Sequence, residues 1–153
     1  MIVTKRTNST DAAFQALVSE LDAELKIRDG DEHSFYAQFN KIDKIRHVVL
    51  AFDGDLPIGC GAVKHYSPDT MEIKRMFVHK DMRGKGVASV VLQELETWCW
   101  ELGYTRCILE TGIKQPDAIR LYEKNNYSTI PNFGQYENAK NSVCFEKNLK
   151  NSV

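Results

Sequence analysis

The succession of strand-like and helix-like segments along these 153 residues predicts an α/β (α+β) fold, one domain over residues 1–153. Three observations carry that prediction. The middle of the chain reads as an antiparallel meander, a glycine-rich loop then opens directly into an amphipathic helix, and a strand–helix–strand–strand series follows with no linker, repeat or biased segment between. Hydrophobic residues at 42% and charged residues at 27% suit a chain that folds in water around one core.

Residues 2–6 read as a short strand, and Asn8, Ser9, Thr10 and Asp11 supply side-chain acceptors for a helix start. Phe14, Leu17, Val18, Leu21 and Leu25 follow at helical spacing and give one apolar stripe. Around it lie seven acids (Asp11, Glu20, Asp22, Glu24, Asp29, Asp31, Glu32) against Lys26 and Arg28. A solvated helix face explains them; an acidic vestibule for a cationic substrate is the alternative. A second helix has room before residue 47. Residues 47–52 are β-branched and apolar, and Asp53-Gly54-Asp55 turns them into 56–65, an antiparallel hairpin. Pro68-Asp69 turns the chain again into a strand over 70–78. Alternation there places Glu72, Lys74, Met76 and Val78 on one face, and Met71, Ile73, Arg75 and Phe77 on the other.

The loop Arg83-Gly84-Lys85-Gly86-Val87-Ala88-Ser89 leads into apolar positions Val87, Val91, Leu95, Trp98 and Leu102, a helix stopped by Gly103. Residues 105–111 form a buried-type strand. Gln115-Pro116-Asp117 then opens a helix with proline at its first position and Ala118, Ile119 and Tyr122 on its inner face. Asn125-Asn126 ends it, and residues 127–130, a loop bearing Pro131, Phe133, Gly134 and Tyr136, and a strand over 142–149 complete the chain.

Composition excludes several function classes. Twenty Lys and Arg against twenty-one Asp and Glu leave a net charge of −1, so no global field attracts nucleic acid. No apolar run reaches the roughly 18 residues that a membrane-spanning helix needs. The start Met1-Ile2-Val3-Thr4-Lys5-Arg6 lacks the apolar block of a secretory leader, so the cytoplasm is the expected location. Cys60, Cys99, Cys107 and Cys144 stand singly among apolar neighbours and read as small core residues, with a catalytic thiol as the lesser alternative. No metal site is expected.

The loop is where chemistry concentrates. Gly84 and Gly86 free the backbone to approach a ligand, and the following helix start offers N–H groups and a positive dipole end. Lys74, Arg75, Lys80, Arg83 and Lys85 face one acid, Asp81, so a phosphate-bearing ligand is the natural partner; a glycine-rich turn with solvated charges is the alternative. A P-loop would need Gly-Lys followed by Ser or Thr, which is absent, and a dinucleotide fingerprint belongs after the first strand of a parallel unit. The loop instead fits R-x-x-G-x-A through Arg83, Gly86 and Ala88.

That pattern resembles the pyrophosphate loop, [QR]-x-x-G-x-[GA], of the GNAT superfamily of acetyl-CoA-dependent N-acetyltransferases. Met71-Glu72-Ile73-Lys74-Arg75-Met76-Phe77-Val78 resembles the family's fourth strand. Gln115-Pro116-Asp117-Ala118-Ile119-Arg120-Leu121-Tyr122-Glu123-Lys124 resembles its N-x-x-A-I-x-L-Y-x-K helix, with Gln115 in place of Asn. Asn126 stands where Gly usually precedes the aromatic Tyr127, and Asn tolerates a left-handed backbone. The resemblance implies a mixed, mostly antiparallel central sheet flanked by helices. It also implies acetyl-CoA as co-substrate, held by Met76, Phe77, Val78, Arg83, Gly84, Lys85, Gly86, Val87, Ala88, Ser89, Gln115 and Tyr122.

The reaction so implied moves an acetyl group from a thioester to an amine by direct attack through a tetrahedral intermediate. It needs a neutral amine, a stabilised oxyanion and a proton for the departing thiolate. Tyr122 stands where the family's general acid lies, with core packing as its alternative role. Glu72 is the preferred base, against a salt bridge to Lys74 or Arg75; Glu110, His65 and His79 are lesser candidates. Backbone N–H groups of residues 76–78 would meet the oxyanion, and the same segment would pair with the pantetheine arm like an added strand. Tyr36, Phe39, Phe133 and Tyr136 are candidate walls for the acceptor, read as a small-molecule amine. A protein N-terminus or lysine, and a non-catalytic acetyl-CoA-binding module, are the alternatives. The remaining expectations are no nucleic acid or membrane partner, and a monomer or homodimer.

Overall fold

The computed structural model describes residues 1–29 and 45–151. Its strands are β1 (Ile2–Thr7), β2 (His47–Asp53), β3 (Leu56–Ser67), β4 (Thr70–Val78), β5 (Arg106–Gly112), β6 (Ser128–Ile130) and β7 (Ser142–Asn148). Its helices are α1 (Ala12–Asp29), α2 (Val87–Glu101) and α3 (Pro116–Lys124). The strands form one seven-stranded sheet in the order β1-β2-β3-β4-β5-β7-β6, with β4 and β5 parallel and the remaining described ladders antiparallel. The predicted mixed, mostly antiparallel sheet is thus what forms. The helix expected before residue 47 lies outside the described residues.

Two compact units share the chain, Met1–Lys64 with Lys74–Leu95, and His65–Ile73 with Glu96–Val153. In the first, Asp11 caps α1: its Oδ1 accepts from the Ala13 N–H at 2.9 Å, so the helix starts where the sequence placed it. The apolar stripe of α1 (Phe14, Leu17, Val18) packs into a core with Ile45, Val48, Leu50, Cys60, Ala62 and Phe77. On the opposite parity of β3, Gly61 leaves room for α2. A Cβ there would come within 2.8 Å of Leu95 Cδ1 and 3.0 Å of Val91 Cγ1, so this glycine permits the close approach of the helix.

The second unit hangs on β5 and β7, paired antiparallel from Arg106↔Asn148 to Gly112↔Ser142. Cys107, Leu109 and Phe145 are buried with Tyr122 and Tyr127. Left-handed Asn126, at φ 72°, turns the chain out of α3, and the Tyr127 N–H donates to the Tyr122 carbonyl at 3.0 Å. The inner stripe of α2 differs from expectation. Val87, Val91, Leu92, Leu95 and Cys99 are buried, whereas Leu102 is 44% exposed. Steps of mostly four residues outrun a turn of about 3.6, and Leu102 falls one residue beyond the helix end.

Candidate active site

Between β4 and α2 the chain makes a short 3₁₀ turn, Lys80–Met82, and then the glycine loop. Gly84 and Gly86 take φ of 77° and 81°, left-handed values open to glycine and costly for other residues. A Cβ at either would meet nothing within 4 Å, so conformation and not crowding demands glycine here. The first helical bond of α2 runs from the Val90 N–H to the Gly86 carbonyl at 3.1 Å. The N–H groups of Val87, Ala88 and Ser89 therefore belong to the turn that has no intrahelical acceptor, the arrangement that suits an anion.

The Arg83 side chain is engaged within the protein. Its Nε donates to the Val78 carbonyl at 2.8 Å, a terminal nitrogen donates to Glu24 at 2.7 Å, and the guanidinium lies 5.4 Å from the Phe77 ring centroid. The arginine ties the loop to the end of β4 and to α1. Two parallel contacts accompany it: Arg75 donates to Asp22 at 2.8 Å, and Glu20 lies 2.8 Å from Nδ1 of His79. Three of the α1 acids thus have cationic partners, while Glu20 and Asp22 still keep about half of their side-chain surface in solvent. Glu20, Asp22 and Glu24 pair with cations of β4 and the segment after it. Arg75, one of the two salt-bridge partners expected for Glu72, is thus engaged by Asp22, and its own φ of 60° breaks the regular alternation of β4.

The acid–base candidates gather in the second unit. β4 pairs with β5 through Glu72↔Ile108, Ile108 and Glu110 share a face, and Glu110 opposes Cys144 on β7. Glu72, Glu110 and Cys144 thus project from one side of the sheet. Glu72 is buried, and Glu110 accepts a 2.7 Å hydrogen bond from the Ser142 hydroxyl. Burial raises the Tyr136 hydroxyl well above the usual phenol range, and the charges of Glu110 and Glu72 add to the effect. Burial first, with the same carboxylates, pushes the Cys144 thiol to about 11, so it stays a neutral thiol. All four cysteines are buried and free, in keeping with core packing, and Cys60 is pushed to about 12 chiefly by burial.

Tyr122 lies on the other side of β5–β7. Its ring packs on Phe145 at 6.0 Å and edge-on to Tyr127 at 5.8 Å between centroids. Burial, then the charge of Glu110, holds its phenol protonated well above the ordinary range. Gln115 immediately precedes α3, with its amide nitrogen 3.2 Å from where a Cβ on Gly112 would stand. Phe133 meets Tyr66 at 5.4 Å and Tyr136 at 5.8 Å, both edge-on, so two proposed acceptor walls belong to one aromatic group beside the carboxylates. The other two, Tyr36 and Phe39, lie outside the described residues. His65 is held against the Tyr104 hydroxyl at 2.8 Å, and His79 is held by Glu20.

Sequence reasoning missed a buried polar group in this unit. Glu96 of α2, 4% exposed, accepts from the Tyr127 hydroxyl at 2.7 Å and from Lys147 Nζ at 2.9 Å. The signal was present: Glu96 falls between Leu92 and Cys99 at helical spacing, and Lys147 shares the strand face of Phe145.

Comparison with known proteins places this arrangement. The model of the acetyltransferase (GNAT) family matches residues 13–127. The chain belongs to the GNAT acetyltransferase family. An IAA acetyltransferase of Azospirillum brasilense is 32% identical over 145 residues, covering 91% of this chain and 92% of that one. The N-acetyltransferase YsnE of Bacillus subtilis, uncharacterised, is 37% identical over 101 residues, or 65% of this chain and 67% of its own. A crystal structure of a candidate acyl-CoA N-acyltransferase from Klebsiella pneumoniae superposes with a TM-score of 0.81 at 29% identity, over 97% and 98% of the two chains. PaiA N-acetyltransferase of Thermoplasma acidophilum, solved with coenzyme A, shares the fold at a TM-score of 0.72 and 16% identity over 97% of this chain and 99% of that one. This GNAT chain is accordingly an acyl-CoA-dependent N-acyltransferase. Among its described residues, no helix is long and apolar enough to cross a membrane.

Proposed function

We propose that this chain transfers the acetyl group of acetyl-CoA to the amine of a small molecule. The observation that carries the cofactor half is the pair of left-handed glycines opening into α2, the backbone form of a pyrophosphate site. The coenzyme A bound by the Thermoplasma relative supports the same reading. Beyond Glu72↔Ile108, β4 runs on to Val78, and the main chain of Met76, Phe77 and Val78 would pair with the pantetheine arm and donate to the oxyanion.

Acid and base are set on opposite sides of the sheet, which suits a displacement in which the amine enters one side of the acyl carbon and the thiolate leaves from another. Glu72 takes the ammonium proton to free the lone pair, and as the C–N bond forms the nitrogen's second proton passes to water. As the C–S bond breaks, Tyr122, held protonated by burial, gives its proton to the sulfur. The carboxylates of Glu72 and Glu110 beside Phe133 and Tyr136 favour a compact cationic amine, which Glu72 deprotonates for attack. The family match over residues 13–127 supports reading the chain as one N-acetyltransferase domain.

The test is release of free thiol from acetyl-CoA across a panel of small amines, amino acids and short peptides. Turnover on small amines is the expected result. Turnover confined to peptides would move the acceptor to a protein N-terminus or lysine, and binding without release on any acceptor would make the chain a binding module.

A further inference from the structure

The buried group around Glu96 has no part in the chemistry above, yet it leads to Tyr122 contact by contact. Both carboxylate oxygens of Glu96 are engaged: Oε1 accepts from Lys147 Nζ at 2.9 Å and Oε2 from the Tyr127 hydroxyl at 2.7 Å. Lys147 Nζ also lies 5.6 Å from the centroid of the Tyr127 ring. The ring of Tyr127 is thus fixed at its hydroxyl by a hydrogen bond and at its face by a cation, and neither contact is open to solvent. Its edge then meets Tyr122 at 66°, while Phe145 closes the other side of Tyr122 at 40°.

A carboxylate and an ammonium at 4% and 9% exposure are costly to bury. Apolar residues of the same volume would stabilise the unit as well or better, so stability alone does not account for the pair. Fixing the direction of a phenol does. The hydroxyl of Tyr122 reaches a reacting sulfur only if its ring is held in one orientation, and an aromatic contact fixes a neighbour's orientation only when the contacting ring is itself immobile. The left-handed turn at Asn126 adds a main-chain tie, the 3.0 Å bond from the Tyr127 N–H to the Tyr122 carbonyl.

We infer that Glu96, Lys147 and Tyr127 form a buried positioning device that orients Tyr122 as the acid. This inference rests on the reading of Tyr122 as proton donor. Tyr127 and Glu96 are positioning residues, acting through Tyr122 and touching neither substrate.

The experiment is a double-mutant cycle of steady-state kinetics in the full chain, with acetyl-CoA and the best small amine acceptor. Tyr127→Phe keeps the ring and removes only its bond to Glu96. It is expected to lower kcat by about fivefold to tenfold while leaving KM for acetyl-CoA within about twofold. Tyr122→Phe, combined with Tyr127→Phe, is expected to be no slower than Tyr122→Phe alone, because the hydroxyl being oriented is already gone. Losses that multiply in the double variant, or an unchanged kcat in Tyr127→Phe, would overturn the inference. An unchanged kcat in Tyr122→Phe would overturn the acid role itself and this inference with it, and is distinguished by that single variant. Glu96→Gln is the second arm should Tyr127→Phe fold poorly. It keeps the shape and one acceptor oxygen, and it must show the same loss that vanishes in a Tyr122→Phe background.

Discussion

Gly86→Ala separates a loop that is merely a turn from one that shapes an anion site. At φ 81° the substitution forces an L-residue into the left-handed region, which costs about 1–2 kcal/mol. Since a Cβ there meets nothing within 4 Å, no steric clash adds to that cost. Gly54, in the turn from β2 to β3, is the matched control: its φ is 62° and its Cβ position is equally open. For a domain of this size each kcal/mol moves Tm by about 2–4 °C, so Gly54→Ala and Gly86→Ala should both melt within roughly 8 °C of the parent. Affinity should divide them. If the backbone of the Gly86→Ala variant relaxes to negative φ at this position, the peptide planes of the loop rotate and the N–H groups entering α2 lose their common aim. Forfeiting one or two charge-assisted bonds at about 1.5–3 kcal/mol each weakens acetyl-CoA by tenfold or more, whereas Gly54→Ala should bind as the parent does. Isothermal titration of acetyl-CoA at one fixed salt concentration reads the difference. Parent-like affinity in Gly86→Ala, with the same loss of Tm as Gly54→Ala, would refute the loop as the pyrophosphate site.

Tyr122→Phe should melt and bind acetyl-CoA like the parent while kcat falls by about tenfold to a hundredfold; equal losses of stability and rate would assign the residue to packing. In Glu72→Gln the rate deficit should be greatest near neutral pH and shrink as the acceptor amine deprotonates unaided. A deficit flat with pH would transfer the proton-taking role to Glu110, the other carboxylate on that face. The imidazole of His79 is raised above its ordinary 6.5, first by its hydrogen bond to Glu20 and then by the charges of Glu20 and Asp81. A raised folded-state value stabilises at pH below 6.5 and loses that contribution as pH rises through the folded-state value, so His79→Gln should lower Tm in acid and leave it unchanged in alkali. Melting curves at both extremes check the sign, and an equal loss at both would exclude the charge pair as its source.

How much was legible in the sequence divides along the range of the interactions. The positions of most strands and helices to within one or two residues, a cap among Asn8–Asp11, the glycine loop and a left-handed turn at Asn126 are decided by a few adjacent residues and were readable. The candidate acid and base were readable only as residue types on predicted elements. Their separation onto two sides of the sheet required the pairing of β4 with β5 and β5 with β7, which no local pattern contains. The Glu96–Tyr127 and Glu96–Lys147 bonds span 31 and 51 residues. Their only local trace is a charge standing at an apolar position. Arg75 is similar: its charge stands on the predicted strand face of Met71, Ile73 and Phe77, but its partner Asp22 lies 53 residues away.

The same distinction changes what recognises the cofactor. Counted along the chain, the segment from Lys74 to Lys85 is strongly basic, and that excess first suggested a phosphate partner. Folded, two of those cations are engaged within the protein: Arg75 on Asp22, and Arg83 on Glu24 and the Val78 carbonyl. The acids that neutralise them are the ones whose surplus on α1 suggested a separate vestibule. Part of each local imbalance therefore cancels against the other, so the net field at the loop is smaller than the sequence count implies. The part of the site that composition does not alter is the backbone, with its two left-handed glycines and the N–H groups that follow. Arg83 then has a mechanical role: by gripping the end of β4 and α1 it holds the loop in the shape that aims those groups. Arginine at the first position of R-x-x-G-x-A suits that role by its reach and its several donors, and the proposed function then assigns contact with the pyrophosphate to the main chain.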